Sequence, residues 1–295
     1  MTPELKAAVE QMIPREREAV RILHHRAASG GCINNACVLE LEDQRRFFLK
    51  SNASISVDMF ESEAQGLHSL YGASEIKVPE VIGYGTTDIG IAFLLTSFIE
   101  SGQKKPTTMR DFGRQLASQH KTATSDRFGF DHDNYLGSTP QPNQWTESWC
   151  DFWRDQRIGY QLNLARELGN NTPQLQSAGD RFLARIEDWL SDPSEPPGLL
   201  HGDLWSGNFM ITSDGKAAII DPAVYYGRRE AELAMTELFG GFSSDFYDGY
   251  DEAWPLEDGS RERIEIYKLY HLLNHLNLFG SSYLSGCLSI LEKYG

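Results

Sequence analysis

The sequence has no long hydrophobic run. Its longest apolar stretch, Ile89 to Ile99, is interrupted by Gly90, Thr96 and Ser97, whereas a membrane-spanning helix needs about 20 mostly apolar residues. The first residues, Met1 to Lys6, also lack the apolar core of a signal peptide. These absences predict a protein without a transmembrane helix and with a cytoplasmic location.

Basic residues and cysteines are scarce as well. The 295 residues include 27 Lys and Arg against 42 Asp and Glu, which gives a formal net charge of −15 at pH 7. Nucleic acids and anionic membranes bind proteins through clustered Lys and Arg, so we expect neither as a partner. The four cysteines, at positions 32, 37, 150 and 287, do not have the spacing of a zinc site and fit reduced thiols.

The common glycine-rich nucleotide motifs are also absent. Neither G-x-G-x-x-G nor G-x-x-x-x-G-K-[ST] occurs, and the nearest candidate is Gly30-Gly31-Cys32 between two predicted strands. It is either a plain hairpin turn or a loop whose backbone amides approach phosphate oxygens, which glycine permits sterically. We favour the phosphate loop. Cys32 would then lie exposed at its tip, where oxidation would inhibit activity reversibly, unless it is simply a small inert residue.

One segment carries recognisable chemistry. In the run from His201 to Asn208, Asp203 and Asn208 are five positions apart, and Asp221 follows the apolar strand that ends at Ile220. Phosphoryl transfer to a hydroxyl needs a base beside the acceptor and oxygen ligands for Mg²⁺. Asp203 is the predicted base, and Asn208 and Asp221 are the predicted ligands. The turn 213–215, between strands 209–212 and 216–220, would bring Asp221 back to Asn208.

The first third of the chain predicts a nucleotide-binding lobe. It reads as a helix (5–12), three strands (19–27, 36–41 and 45–50), a helix (56–71) and two more strands (78–84 and 91–96). Lys50 ends the third strand and Glu63 lies in the next helix, the arrangement of the phosphate-binding lysine and its glutamate in kinases. We prefer Glu63 to Glu61 because Glu63 shares the apolar face of that helix. Thr96, which ends the last strand, and Phe98, just beyond it, complete the predicted nucleotide site.

The remainder predicts a larger, mainly helical lobe, with helices at 108–120, 146–167, 174–190 and 261–283. We therefore predict an α+β, two-lobed, protein-kinase-like fold with an antiparallel sheet and one main helix in lobe 1–97 and the catalytic centre in lobe 98–295. The stripe Trp149, Phe152, Trp153 and Gln156 is interpreted as core. The acidic and aromatic stretch 245–251 is interpreted as a solvated loop.

The acceptor is predicted to be a small molecule. Pro222 follows Asp221 where protein kinases have Phe-Gly, and no Ala-Pro-Glu occurs downstream, so the peptide-docking parts are missing. Trp205, two residues after the proposed base, is expected to line the acceptor pocket. Asn134 and Tyr135 are candidates for another wall.

Five segments resemble the fructosamine/ketosamine 3-kinase family, a branch of the aminoglycoside-phosphotransferase-like kinases. They are 130–141, 200–208, 221–227, 234–242 and 272–280. The resemblance covers nearly the whole chain from Gly30. It implies transfer of phosphate from ATP, with Mg²⁺, to the 3-hydroxyl of a ketosamine, and hence deglycation of amines, with Asp203, Asn208, Asp221, Lys50 and Glu63 in the roles given above.

The sequence departs from the family pattern at two positions, and other functions of the same fold compete with the one that the resemblance implies. Arg228 and Glu232 stand where the family pattern has His and Asp, so the support of the Asp221 segment is expected to differ. An aminoglycoside- or choline-type phosphotransferase of the same fold is the main alternative. A nucleotide-binding pseudokinase is disfavoured because Lys50, Asp203 and the two metal ligands are all present. The sequence leaves open which sugar and amine are preferred and whether the acceptor is a free or a protein-bound adduct. It also leaves open the oligomeric state.

Overall fold

An antiparallel sheet with one helix on each face forms the N-terminal part of the molecule. The structure, a computed structural model, describes residues 1–14, 21–28, 34–53, 57–73, 75–190 and 195–295. The N-terminal elements are α1 (Pro3–Met12), β1 (Ile22–Ala27), β2 (Asn35–Leu41), β3 (Arg46–Asn52), α2 (Val57–Leu70), β4 (Val81–Thr86) and β5 (Ala92–Ser97). The proposed phosphate loop, Gly30-Gly31-Cys32, lies outside the described residues.

The sheet has the strand order β1-β2-β3-β5-β4, with every neighbouring pair antiparallel. Because successive side chains of a strand point to opposite faces, Leu49 and Lys50 separate. Leu49 packs into the cluster that contains Leu5 and Val9 of α1, and Lys50 lies on the face that α2 covers. Lys50 is opposite Leu94 in the register, so the α2 face carries the functional lysine.

The C-terminal part consists mainly of helices around one large core. Its helices are α3 (Thr108–Thr122), α4 (Trp149–Trp153), α5 (Tyr160–Glu167), α6 (Pro173–Ala184), α7 (Ile186–Trp189), α8 (Arg229–Glu237), α9 (Ser244–Ala253), α10 (Ser260–Phe279) and α11 (Leu284–Tyr294). Three short two-stranded sheets sit among them: β6–β7 (Asn134–Leu136 and Thr139–Gln141), β8–β11 (Gly198–Leu200 and Tyr225–Gly227) and β9–β10 (Phe209–Ile211 and Ala217–Ile219).

Most predicted elements occur within a few residues of their predicted bounds, but two long helices are divided. The predicted helix 146–167 begins at Trp149 and has a π-helical turn, Arg154–Gly159, between α4 and α5. The predicted helix 174–190 breaks at Arg185. The interpretation of Trp149, Phe152, Trp153 and Gln156 as core is confirmed, since all four are buried.

The interpretation of residues 245–251 as a solvated loop is wrong. They form most of α9, which crosses α3 so closely that a Cβ on Gly249 would lie 2.1 Å from the backbone oxygen of Arg110. Phe246 and Tyr250 are buried against this crossing. The charged residues on the other face hid the helix, whose stability comes from tertiary packing more than from intrinsic propensity. Helices α8 and α11 were also not predicted.

No helix in the described part of the chain is both long enough and apolar enough to cross a membrane. The sheet ends at Ser97, and the first helix of the C-terminal part begins at Thr108. The predicted lobe boundary at residue 97 stays a prediction.

Candidate active site

The segment between β8 and β9 forms a tight loop that has to contain glycine. Gly202 has φ = +82°, and a Cβ there would lie 2.0 Å from the backbone oxygen of Ala223. The segment between β10 and β11 anchors the loop, because the His201 carbonyl accepts a 2.8 Å hydrogen bond from the Ala223 amide. The loop is therefore pressed against the segment that follows Asp221.

His201 holds the loop from inside. It is buried, its Nε2–H donates to the Ile220 carbonyl at 2.9 Å, and its Nδ1 accepts from the Asp203 amide at 3.3 Å. Burial lowers the pKa of His201, which fits a neutral ring with one donor and one acceptor nitrogen. The histidine is thus a structural support for Asp203.

Asp203 and Asn208 meet as their spacing predicts. The Asn208 Nδ2 donates to the Asp203 backbone oxygen at 2.9 Å and to its Oδ2 at 3.0 Å. The second carboxylate oxygen of Asp203 accepts no hydrogen bond from the described residues, so it is available to a bound hydroxyl. Burial, reinforced by the charge of Asp221, raises the pKa of Asp203 to about 7.

The β9–β10 hairpin brings Asp221 to Lys50. The Lys50 Nζ donates to Glu63 Oε1 at 2.7 Å and to Asp221 Oδ1 at 2.5 Å, and it links β3, α2 and the C-terminal part. Burial alone would lower the pKa of Lys50, but the charges of Asp221 and Glu63 outweigh it and raise that pKa. Glu61 instead accepts from the Tyr84 hydroxyl, so Lys50 pairs with Glu63 and not with Glu61, and the phosphate-binding role of the pair stays a prediction.

The backbone at Asp221 is unusual. Its φ is +57°, a left-handed conformation that costs a non-glycine residue roughly 1–2 kcal/mol. The Ile220 amide donates to the Asn208 carbonyl at 3.0 Å, which fixes the chain just before this residue. The carboxylate bonds to Lys50, and the backbone carbonyl of Asp221 accepts from the Asn208 Nδ2 at 3.5 Å.

Asn208 and Asp221 also provide a suitable donor set for Mg²⁺. Because the Asn208 Nδ2 points to Asp203, its amide oxygen is the atom left for a cation, and Asp221 has a second carboxylate oxygen beyond the one bonded to Lys50. Mg²⁺ usually takes one or two such protein oxygens and completes its shell with phosphates and water. The described residues contain no group of three or more His, Cys, Asp or Glu side chains that could hold a metal ion, and a site built from one Asn and one Asp needs none.

Glu232, noted in the sequence only as a departure from the family pattern, holds the loop after β8 in place. Glu232 on α8 is 1% exposed and accepts hydrogen bonds from the backbone amides of His201 and Gly202. His120 Nε2 lies 3.7 Å from the same carboxylate. Glu232 therefore positions the segment that carries Asp203, and its distance in sequence explains why spacing alone did not assign this role.

The placement of Asn134 argues against its assignment to the acceptor pocket. Asn134 is 3% exposed, and its Nδ2 donates to the Val224 carbonyl at 2.7 Å. Gln141 donates to the Asn134 amide oxygen at 2.7 Å and to the Ala223 carbonyl at 3.0 Å. The side-chain amides of Asn134 and Gln141 bond to each other and to the backbone that follows Asp221, so Asn134 positions that segment. Tyr135 is partly exposed and stays a prediction.

Trp205 lies across its own loop. A Cβ on Gly207 would be 2.3 Å from the indole ring, so the glycine allows the ring to lie flat on the backbone between Asp203 and Asn208. Its other neighbour is Phe239, with ring centroids 6.4 Å apart. The indole N–H donates to none of the described residues. Trp205 thus borders the space beside the proposed base.

Thr96 and Phe98 were also predicted to contact the nucleotide. Thr96 is buried in β5, two residues from Leu94, so it shares the face of the sheet that carries Lys50. Phe98 lies beyond the strand, and the Arg46 guanidinium is 4.8 Å from its ring centre. Contact of either residue with nucleotide stays a prediction.

Solved structures confirm the fold. A crystallised candidate fructosamine-3-kinase from Thermobifida fusca matches with a TM-score of 0.86 at 32% identity, over 99% of this chain and 98% of that one. An aminoglycoside phosphotransferase crystallised with AMP-PNP and hygromycin B matches with a TM-score of 0.67 at 17% identity, over 98% of both chains. The second likeness concerns the fold alone, and it confirms the predicted two-lobed kinase-like architecture.

Sequence relatives agree with the resemblance seen in the motifs. The "Probable ketoamine kinase" of Vibrio parahaemolyticus is 44% identical over 265 residues, which is 90% of both chains. The chloroplastic protein-ribulosamine 3-kinase of Oryza sativa subsp. indica is 40% identical over 287 residues, which is 97% of this chain and 83% of its own. A fructosamine kinase family model matches residues 5–294. Because this match spans almost the whole length, including every element of the site, the chain belongs to the fructosamine kinase family.

Proposed function

We propose that this protein transfers the γ-phosphate of ATP to the 3-hydroxyl of a ketosamine, the adduct of a sugar and an amine. The observation that carries the proposal is the connected set of contacts from Glu63 through Lys50 and Asp221 to Asn208 and Asp203. It joins a phosphate-binding lysine, two metal-binding oxygens and a base in one site. The names of the relatives direct the proposal to ketosamines.

Each side chain has a distinct task. Asp203 accepts the proton of the attacking hydroxyl through the carboxylate oxygen that Asn208 leaves unused. Lys50 binds the phosphate oxygens of ATP, and Glu63 keeps its ammonium group in position. Asn208 and Asp221 would hold Mg²⁺, which neutralises charge on the phosphates when it is bound. Gly30, Gly31 and Cys32 stay the proposed cover of the phosphates.

The biological consequence follows from the chemistry of the product. A ketosamine 3-phosphate is unstable and loses its sugar, so the reaction would restore the free amine and serve in deglycation. Glycated protein side chains and free adducts both remain candidate acceptors. A cytoplasmic location stays a prediction, because the rice relative is named as chloroplastic.

Release of ADP with a set of acceptors tests the proposal. We expect Mg²⁺-dependent turnover with fructosyl-lysine or ribulosyl-lysine and very slow turnover with choline or kanamycin, because a site built to hydrogen-bond a keto-sugar leaves polar groups unpaired with other ligands. The phosphorylated position would be read by NMR of the product. Faster turnover of choline or an aminoglycoside than of every ketosamine would replace the proposal with the rival phosphotransferase.

A further inference from the structure

A row of aromatic side chains runs outward from the proposed base. Trp205 contacts Phe239, Phe239 lies on His275 with ring centroids 4.4 Å apart, and His275 contacts Tyr283 at 5.1 Å. Phe279, 57% exposed, closes the outer end by contacting both His275 and Tyr283. We call these five residues the aromatic row. They come from the catalytic loop, the turn after α8, the end of α10 and the short turn that follows it.

The turn that carries Phe239 is built to place its ring. Phe239 has φ = +54° and is followed by Gly240 and Gly241, both with positive φ. A side chain in this conformation persists only where the surrounding structure holds it, and here the ring is held between Trp205 and His275. Such strain at the edge of an active site favours a functional reason for the ring position.

Several aromatic rings outside the row lie under a guanidinium group of the protein. Arg229 lies 3.8 Å from the ring centre of Trp254, Arg127 lies 5.3 Å from that of Trp145, and a third guanidinium covers Trp189. In the described part of the chain, no Lys or Arg lies over a ring of the aromatic row. Aromatic faces attract cations, so these faces are left for a cation that the protein does not supply.

His275 adds a hydrogen-bond acceptor to the row. Its Nδ1–H donates to the His271 carbonyl at 2.8 Å, which leaves the Nε2 lone pair without a donor among the described residues. Burial lowers the pKa of His275, so the ring is neutral near pH 7 and does not repel a positive ligand. A neutral acceptor among uncovered aromatic faces suits an N–H group that carries a positive charge.

The geometry points to the aromatic row as the subsite for the amine half of the substrate, binding its protonated secondary amine and the apolar stem attached to it. This inference rests on the proposed function. With the 3-hydroxyl at Asp203, the amine is two carbon atoms away from the carbon that bears that hydroxyl. The amine therefore falls beside Trp205 and Phe239, and its substituent extends towards Tyr283 and Phe279, where the row is open to solvent.

A matched pair of acceptors tests the charge. One is the ketosamine formed with Nα-acetyl-lysine, and the other is its neutral isostere in which an ether oxygen replaces the ammonium nitrogen. We expect the wild-type protein to prefer the amine in kcat/KM, and Phe239→Leu to reduce that preference about 3- to 10-fold, the range expected for loss of a cation–π contact. The KM for ATP should not change. Tyr283→Leu should act in the same direction with a smaller effect.

Tyr71→Leu is the matched control, because Tyr71 is a 64% exposed aromatic outside the row. It should leave the preference unchanged. The inference would be overturned if the preference stayed unchanged in both row variants, including the case in which kcat/KM falls equally for both acceptors. If the wild-type protein phosphorylated no ketosamine, the proposed function would fail, and the ratio of calorimetric Kd values for the same two compounds would decide on the row separately.

Discussion

The two ends of the active site are built in opposite ways. At the nucleotide end, Lys50, Glu63 and Asp221 are joined by short charged hydrogen bonds, and each charge has a partner. At the acceptor end, Trp205, Phe239 and the rest of the aromatic row touch through ring faces, with one neutral acceptor on His275. The first end demands fixed geometry, since charges in a buried site are costly when unpaired. The second end offers mainly apolar ring surface, and the burial of apolar surface is not directional.

Removing a metal ligand should have the largest effect and should separate the two ends. Asp221→Ala deletes one of two proposed Mg²⁺ ligands and a partner of Lys50, so we expect no measurable turnover. Excess chelator should do the same to the wild-type protein, with recovery on adding Mg²⁺. Ketosamine binding, followed by calorimetry, should weaken far less. Full activity in chelator, with carried-over metal excluded, would refute the metal site.

Substituting the base is the next test. Asp203→Asn keeps the shape and the contact with Asn208 but removes the proton acceptor, and we expect kcat to fall by about 10²- to 10⁴-fold. The KM for ATP should change little, because the free carboxylate oxygen faces the acceptor. Asp214→Asn, an exposed carboxylate in the nearby hairpin turn, serves as the control. Retention of more than about half of the wild-type kcat would show that Asp203 is not the base.

The support behind the catalytic loop is expected to matter less. Glu232→Gln replaces a buried carboxylate that accepts from two backbone amides by a group with one acceptor oxygen. Because a hydrogen bond to a charged group contributes about 1.5–3 kcal/mol, we expect kcat to fall roughly 10-fold and the melting temperature to drop by several degrees. The exposed Glu167→Gln should alter neither. A pure loss of stability, with kcat intact, would restrict Glu232 to a folding role.

The smallest effect is expected at His271, which supports the aromatic row. It concerns the free energy of unfolding and appears only at acid pH. His271, whose carbonyl holds His275, is 3% exposed, and burial together with the charges of His275 and Arg157 lowers its pKa to about 3. In the unfolded chain the pKa of His271 is near 6.5. As the pH falls, the unfolded state therefore takes up a proton at His271 before the folded state does, and the free energy of unfolding decreases below about pH 6.5.

His271→Gln removes this proton-linked loss. Between pH 6.5 and 5.0 the free energy of unfolding of the variant should fall less than that of the wild type, by about 1–2 kcal/mol. Urea titrations at both pH values measure the difference, and the exposed His68→Gln is the control. Equal pH dependence in all three proteins would mean that His271 is accessible to protons in the folded state.

The nucleotide end and the catalytic loop were largely predictable because their residues are encoded in local patterns. Asp203 and Asn208 are five positions apart, a two-strand hairpin returns Asp221, and Lys50 and Glu63 occupy a strand end and one helix face. Each of these patterns fixes a direction in space over a short stretch of chain. The contacts of Asn134 were not predictable in this way, because no local pattern shows that its amide bonds to Val224 and Gln141.

The amino-acid sequence by itself determined the two-part architecture, the pairing of Lys50 with Glu63 and the meeting of Asp203 with Asn208. Periodicity and short-range spacing carry this information. Only the tertiary structure decided that Glu232 caps the catalytic loop, that residues 245–251 are a helix packed on α3, and that Phe239 meets His275. These contacts join segments that are tens of residues apart, and they form because burial of apolar surface and the pairing of buried polar groups are satisfied by the whole fold and not by any one segment.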